Sequence, residues 1–304
     1  MTSALQILID AISVGSLYAL AALGVGLVFG VLRLVNFAYG DFITVGSYAL
    51  IVPSASITAI MFIGDWPWPL LVIASAIIVM IVALICDFVV FRPLRQASPA
   101  VLMIASFGLS YVIQNAIIII YNARPKAVGI WPGLAEAITI GELRVPGLQV
   151  VTIVVALGLL AALVLFLRKS RFGVQMRAAA EDFQMARMLG VQANTVIGTA
   201  FVISAFLAAI VSLLFLCQVG VVSFHMGTQL MLIAFIATVI GGMGSLVGAV
   251  VGGYAIGIGG TLLQVMLPEN LRYFRDAFVF SAVIVILLAR PQGLVVTRAA
   301  RERV

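Results

Sequence analysis

The sequence predicts an all-α protein, a polytopic transmembrane helical bundle with about eight or nine membrane segments. Hydrophobic residues make up 64% of the chain and charged residues only 9%, a balance that the surface of a water-soluble protein cannot accommodate. Apolar runs of about 20 residues, long enough to cross a hydrocarbon core as helices, recur along the chain. The alternating pattern of outer-membrane strands is absent from the sequence, so helices are the expected spanning element.

The expected spans follow in order along the chain. The first, 5–30, begins almost at Met1, and its leading residues include no Lys or Arg of the kind that opens a signal peptide, so we interpret it as a span. The second, 42–63, leads to Trp66 and Trp68, which suit a membrane interface. Further spans are predicted over 68–91, 100–121, 149–167, 196–219 and 274–289.

Segment 223–267 is too long for a single span. We expect a hairpin or a re-entrant piece, broken near 241–245, where the sequence reads Gly-Gly-Met-Gly-Ser. Small residues would let helix backbones approach closely here, and they are Gly241, Gly242, Gly244, Gly248 and Gly252.

Basic residues predict the orientation, because cytoplasmic segments of membrane proteins carry an excess of Lys and Arg. They cluster at Arg92 and Arg95, across 168–187 and across 290–303. We therefore expect these segments and the carboxyl terminus to be cytoplasmic. The amino terminus and the mixed-charge segments 122–148 and 268–276 are expected outside.

The most polar insert of the chain lies at 168–195, between two apolar runs. Because water or another protein must meet such an insert, we interpret it as a docking element for a soluble partner, although an amphipathic helix lying on the membrane surface stays open. It is too short to be an independent domain, so 1–304 is interpreted as one domain. Helical spacing predicts one apolar face, formed by Phe172, Met176, Ala179, Phe183 and Ala186, with Arg177, Glu181, Asp182 and Arg187 elsewhere and a helix stop at Gly190.

A second polar stretch, RLVNFAYGD at 33–41, lies between two apolar segments. It indicates either a broken helix that exposes backbone to a cavity or a short cytoplasmic turn, with Asp41 near the amino end of the next helix. The sequence leaves both interpretations open. Asp10 and Asp87 lie near span ends, where we expect their carboxylates to reach the headgroups.

The sequence lacks the motifs of a membrane enzyme, including HExxH, GxSxG and a GxxxxGK[ST] phosphate loop. The single histidine, His225, has no sequence partner that suggests catalysis, and Cys86 and Cys217 show no metal-ligand spacing. We therefore expect no catalytic residue, no metal site and no cofactor in this chain. Since no series of buried carboxylates suited to a proton-driven carrier is visible, an external energy source is expected.

Four segments resemble one family, the permease subunits of ATP-binding-cassette importers for branched-chain amino acids, in the subgroup of the first permease. AAAEDFQMARMLGV is similar to the family's cytoplasmic coupling loop and RLVNFAYGDFITVGSY to its early signature. IGGMGSLVGAVVGG and ARPQGL resemble its late glycine-rich and closing segments. Tyr39 and Asp41 stand where many relatives have His and Glu, and urea and short-chain amide permeases are very similar, so the resemblance leaves the solute open.

The resemblance implies a multi-pass subunit that imports branched-chain or other small amino acids across the inner (plasma) membrane. The implied partners are a second permease, two cytoplasmic ATPases that bind ATP and Mg²⁺, and an extracytoplasmic solute-binding protein. The translocation path would include Arg33, Asn36, Phe37, Tyr39, Gly40 and Asp41. The ATPase-coupling residues would be Phe172, Met176, Arg177, Glu181, Asp182, Phe183, Met185, Ala186, Leu189 and Gly190, within a short coupling helix.

Two further classes stay open from the residues alone. A secondary carrier or channel would move solute under an ion gradient without ATPases. A membrane scaffold or sensor would bind partners without moving solute.

Overall fold

The computed structural model describes residues 2–32, 35–54, 56–95, 97–140, 143–181, 183–290 and 293–295. Its helices are α1 Thr2–Leu32, α2 Tyr39–Tyr48, α3 Trp68–Cys86, α4 Pro99–Tyr121, α5 Pro132–Ala135, α6 Gly147–Lys169, α7 Arg171–Glu181, α8 Phe183–Met188, α9 Ala193–Val219, α10 Met226–Gly241, α11 Leu246–Met266 and α12 Arg275–Ala289. A π-helical turn, Asp87–Phe91, extends α3.

In the part of the chain that the structure describes, the strands are short and form two-stranded sheets. They are β1 Ile51–Val52, β2 Ile60–Met61, β3 Lys126–Ala127, β4 Ala137–Ile140, β5 Leu143–Pro146 and β6 Val221–Val222. The antiparallel pairs are β1 with β2, β3 with β6 and β4 with β5. In the first pair Ile51 is opposite Met61, and in the second Lys126 is opposite Val222.

The chain forms two compact units, each assembled from separated stretches of sequence. The first contains Met1–Gly26, Trp131–Val164 and Ile233–Val304. The second contains Leu27–Ile130 and Leu165–Leu232. The interpretation of 1–304 as a single permease domain stays a prediction.

Within the described residues, six helices are long and apolar enough to cross a membrane, namely Ala4–Val31, Trp68–Phe91, Pro99–Tyr121, Gly147–Lys169, Asn194–Val219 and Leu246–Met266. They confirm the predicted all-α polytopic class. Helices α10 and α12 are shorter, with 16 and 15 residues. At 1.5 Å per residue they measure about 24 and 22 Å, less than a hydrocarbon core of about 30 Å. The expected total of eight or nine segments stays a prediction.

The predicted continuous span over 42–63 is wrong. Helix α2 ends at Tyr48 after 10 residues, which is about 15 Å and half the thickness of a hydrocarbon core. The chain then forms the β1–β2 hairpin, and the Leu50 carbonyl accepts from the N–H groups of Phe62 and Gly64. Hydropathy alone missed this break, because the residues on both sides of Pro53, which cannot donate a backbone hydrogen bond, are mostly apolar.

Segment 223–267 is broken at the expected place, and its two predicted alternatives, a hairpin of two spans and a re-entrant piece, both stay predictions. Helix α10 ends at Gly241 and α11 begins at Leu246. Gly242 and Gly244 adopt positive φ angles of 110° and 89°, so these two glycines form the turn. Ser245 then caps α11, since its Oγ accepts from the Gly248 N–H at 2.9 Å.

Within the first unit, α11 packs against its neighbours through glycines. A Cβ at Gly248 would collide with the Gly241 carbonyl, and one at Gly252 would collide with the Ala237 carbonyl, both on α10. A Cβ at Gly257 of α11 would collide with the backbone of Gly15 on α1. These contacts bring the helix backbones together without intervening side chains.

Within the second unit, α2 packs against both α3 and α9. The Ser47 Oγ on α2 lies 2.6 Å from the Ser212 Oγ on α9, and the Ser75 hydroxyl on α3 donates to the Gly46 carbonyl at 3.3 Å. All these serines are buried. The short helix is therefore fixed on two sides by hydrogen bonds in addition to apolar packing.

Candidate functional site

The break predicted within 33–41 is present, since α1 ends at Leu32 and α2 begins at Tyr39. Arg33 lies outside the described residues. Asn36 shapes the turn: its Oδ1 accepts from the Ala38 N–H at 3.1 Å, and its backbone carbonyl accepts from the Tyr39 N–H at 3.3 Å. Asn commonly bonds to the backbone two residues on in this way. This connection places Asp41 in the first turn of α2.

Asp41 is fully buried, and its partner Gln114 links α2, α4 and α10. Its Oδ1 accepts from the Gln114 Nε2 on α4 at 3.0 Å. The same amide nitrogen lies 3.1 Å from the Ser110 Oγ and 3.3 Å from the Thr228 Oγ1, near the start of α10. We call Asp41, Ser110, Gln114 and Thr228 the polar cluster.

Three buried side-chain atoms near the start of α2 have no hydrogen-bond partner among the described residues, namely the Asn36 Nδ2, the Tyr39 hydroxyl and the Asp41 Oδ2. An unsatisfied buried polar group costs about 1–3 kcal/mol, so native proteins keep few of them and each calls for a reason. Here a donor and a carboxylate oxygen are both left over within a few residues. Such groups can bond to a small polar solute at no loss of protein hydrogen bonds.

Gly40 and Phe37, which the resemblance assigns to the path, pack against other helices. A Cβ at Gly40 would lie 2.7 Å from the Gly227 carbonyl on α10, so only glycine allows this approach. The Thr44 Oγ1 accepts from the Gly227 N–H at 3.2 Å and donates to the Gly40 carbonyl at 3.3 Å. The Phe37 ring stacks on Phe107 of α4 with centroids 3.8 Å apart.

Sequence reasoning missed Ser110, Gln114 and Thr228. A signal was available, because Gln114 interrupts the apolar run 100–121. Polar side chains inside a membrane helix usually contact another helix or a pathway. Gln114 is uncharged, so the high cost that marks ionisable groups in a span does not single it out, and its partner Asp41 lies 73 residues away in sequence.

The insert 168–195, which we call the docking segment, forms α7 and α8 and leads into α9. Three residues of its predicted apolar face are buried, Met176, Ala179 and Ala186, and α7 packs against α9. Phe172 is instead 48% exposed. One part of the predicted apolar face therefore packs inside the second unit, and the part at Phe172 is exposed.

The outward surface of the docking segment includes apolar side chains. Met188 and Leu189 are 82% and 85% exposed, and Met185 is 60% exposed. Arg177 and Arg187 are also exposed. Asp182 lies outside the described residues, and only the helical backbone is described at Glu181 and Phe183. Exposed apolar residues grouped at one helix end are typical of an interaction site.

The helix stop predicted at Gly190 is confirmed. Gly190 has a φ of 87°, and its N–H donates to the Arg187 carbonyl at 3.1 Å while the Val191 N–H donates to the Ala186 carbonyl at 3.0 Å. These two bonds form a Schellman motif, in which a left-handed residue ends the helix. The motif fixes the position of Met188 and Leu189 at the end of α8.

The expectation that Asp87 reaches the headgroups is wrong. Its side chain is buried and forms an ion pair with Arg95, whose Nη2 lies 2.9 Å from both carboxylate oxygens. The pair satisfies the charge inside the protein, which hydropathy could not predict. Asp10 accepts from the Gln149 Nε2 at 2.7 Å and from the Gln6 Nε2 at 3.3 Å, so it too bonds to neighbouring helix residues.

Comparison with known proteins identifies the family. The profile described as "Branched-chain amino acid transport system / permease component" matches residues 7–288. The chain is 33% identical to the high-affinity branched-chain amino acid transport system permease protein BraD of Pseudomonas aeruginosa, with 95% of each chain covered. It is also 33% identical to the permease protein LivH of Escherichia coli, over 95% of this chain and 94% of LivH.

A more distant relative is the probable branched-chain amino acid transport permease protein LivH of Methanocaldococcus jannaschii, 28% identical over 95% of this chain and 91% of that protein. No solved structure matches the chain significantly. The matches extend over nearly the whole sequence, and the membrane-length helices agree with them. This multi-pass membrane protein therefore belongs to the family of branched-chain amino acid transport system permease components.

Proposed function

We propose that this chain is the first-permease subunit of an ATP-driven importer that passes branched-chain or other small amino acids across the inner (plasma) membrane. The observation that carries the proposal is the match over residues 7–288 to a permease family, with relatives named for branched-chain amino acid transport over almost their full length. A second permease, two cytoplasmic ATPases and an extracytoplasmic solute-binding protein complete the importer. ATP and Mg²⁺ bind to the ATPases.

The polar cluster, together with Asn36, is the proposed contact for the charged ends of the solute. Its unpartnered Asp41 Oδ2 suits the ammonium group of an amino acid, and the Asn36 Nδ2 is a donor for a carboxylate. Buried carboxylates within membrane proteins often mark pathways. For the aliphatic side chain of such a solute, we propose that the rest of the path is apolar.

The docking segment is the proposed site of ATPase binding. Exposed Met188 and Leu189 supply apolar area, and the Schellman motif at Gly190 holds them at the helix end. Alternating access needs two conformations whose relative stability the ATPases change through their contacts. This role requires the docking segment to be cytoplasmic. We propose the same side for the carboxyl terminus, from its excess of basic residues, and the outside for the amino terminus.

The test is transport by the complex. A carboxyl-terminal affinity tag on this chain would be used to purify the complex from native membranes, and mass spectrometry would identify the bound subunits. Proteoliposomes containing ATP and Mg²⁺ would then be given the binding protein and radiolabelled leucine, urea or acetamide outside. A non-hydrolysable ATP analogue and an ion gradient without ATP are the two controls.

We expect ATPases and a second permease in the purified complex and leucine uptake that requires ATP hydrolysis. Uptake of urea or acetamide but not leucine would contradict the proposed solute and leave the architecture intact. Uptake driven by the ion gradient alone would assign the chain to the secondary carriers. Stable partner binding without flux of any solute would assign it to the scaffolds.

A further inference from the structure

Arg95 lies in the segment between α3 and α4 and contacts two other parts of the second unit. Its Nη2 bonds to both carboxylate oxygens of Asp87 at 2.9 Å, in the π-helical turn that ends α3. Its Nη1 donates to the Asn194 Oδ1 in the first turn of α9. The side chains of Arg95 and Asp87 are only 14% and 9% exposed. One guanidinium therefore joins the end of α3 to the start of α9.

The start of α9 is also where the docking segment ends. Helix α8 ends at Met188 and α9 begins at Ala193, so a short connection containing Gly190 separates the exposed docking residues from Asn194. The connection is constrained by the Schellman motif on one side and by the bond from the Thr195 N–H to the Gln192 carbonyl, at 3.1 Å, on the other. A displacement of α8 is thus passed on to the first turn of α9.

Helices α3 and α9 in turn hold α2 between them. A Cβ at Gly46 of α2 would lie 2.9 Å from the Ser212 Oγ of α9 and 3.3 Å from a methyl group of Val79 on α3. Such close contacts leave no space for one helix to move without the others, because protein interiors are packed as densely as crystals. Helix α2 carries Asp41, the centre of the polar cluster.

We propose that Arg95 is a positioning residue that makes α3 and α9 move together when an ATPase displaces the docking segment, so that the displacement reaches α2 and the polar cluster. This inference rests on the proposed docking of an ATPase. A planar guanidinium suits the task, because one of its terminal nitrogens bonds to the carboxylate while the other donates to a second partner. A lysine has no such planar fork.

The decisive variant is Asn194→Leu, which removes the contact to α9 and leaves the Asp87–Arg95 ion pair intact. The readout is the number of leucine molecules transported per ATP hydrolysed by the purified importer in proteoliposomes. Since energetic coupling between sites is typically worth factors of about 5 or more, we expect a fall of about fivefold or more in this ratio, with ATP hydrolysis maintained. Arg92→Met is the matched control, because Arg92 is exposed on the same turn and stacks over Phe88.

Two further variants separate positioning from folding stability. Asn194→Asp keeps an acceptor for Arg95 and should retain the wild-type ratio. Arg95→Lys should lower the ratio, because it loses one of its two contacts. If Asn194→Leu transports as many molecules per ATP as the wild type, Arg95 has only a structural role. If the wild-type complex shows no ATP-dependent uptake, the proposed function itself is wrong, and the two failures are thereby distinguished.

Discussion

The two units hold their central helices by different combinations of contacts. In the first unit, α11 meets α10 and α1 through backbone at Gly248, Gly252 and Gly257. In the second, α2 also meets α10 through backbone, at Gly40, but it is held in addition by side-chain hydrogen bonds, including those of Ser47 and Asp41. Backbone contacts between glycines have one geometry and no alternative partners. Polar side chains can exchange one partner for another, so the second unit is the better place for solute contact and for movement.

The largest expected effect is on the glycine contacts of the first unit. Gly252→Ala places a Cβ against the Ala237 carbonyl, so the helices must separate, at a cost of about 3 kcal/mol or more, the upper end for overpacked cores. Thermal unfolding of the detergent-purified chain measures this loss. Gly259→Ala on the same helix is the matched control, since its Cβ would meet nothing within 4 Å. Equal melting temperatures for the two variants would contradict the packing account.

The second effect is on transport rather than folding. Asp41→Asn preserves the shape of the side chain and an acceptor for Gln114 but removes the negative charge proposed to meet the ammonium group. Since a hydrogen bond to a charged group is worth about 1.5–3 kcal/mol, leucine uptake should fall about tenfold or more, with little change in melting temperature. Asp10→Asn is the control, because Asp10 also accepts from glutamine amides. If Asp41→Asn takes up leucine at the wild-type rate, Asp41 is not part of the translocation path.

The third effect is on partner binding. Met188→Ser combined with Leu189→Ser removes the exposed apolar side chains, each worth about 1.5–3 kcal/mol when fully buried by a partner. We expect the amount of ATPase that co-purifies to fall at least about tenfold, with normal membrane insertion. Val174→Ser, at a half-exposed position of α7, should retain the ATPase. Full retention of the ATPase by the double variant would show that the ATPase docks at another surface.

The smallest effect is at the end of the docking segment. Gly190→Ala meets no neighbouring atom, so its cost comes only from the positive φ and should be about 1 kcal/mol. Asn at the same position tolerates a left-handed conformation better and should cost less. Measuring the free energy of unfolding of the Gly190→Ala and Gly190→Asn variants tests both costs. In contrast, Gly198→Ala, in the interior of α9 and without neighbours, should be neutral or slightly stabilising.

Local rules predicted some of these features and could not predict others. Apolar runs of about 20 residues predicted most spans, because lipid leaves an apolar chain few alternatives to a helix. Gly190 was predictable, since a glycine after a helical pattern commonly ends it. The early end of α2 was missed because Ile51 and Val52 are apolar, and hydropathy does not distinguish an apolar strand from the continuation of an apolar span. The contacts of Asp41 with Gln114 and of Arg95 with Asn194 join distant segments, so no local pattern reports them.

The most direct test of the central claim is cysteine labelling at position 189. Leu189→Cys would be introduced into a background in which Cys86 and Cys217 are replaced by alanine, and a membrane-impermeant maleimide would be applied to intact cells and to inside-out vesicles. The docking account predicts labelling only in inside-out vesicles stripped of the ATPases, and protection when the ATPases are restored. Labelling of intact cells from outside, or no protection by the ATPases, would contradict it.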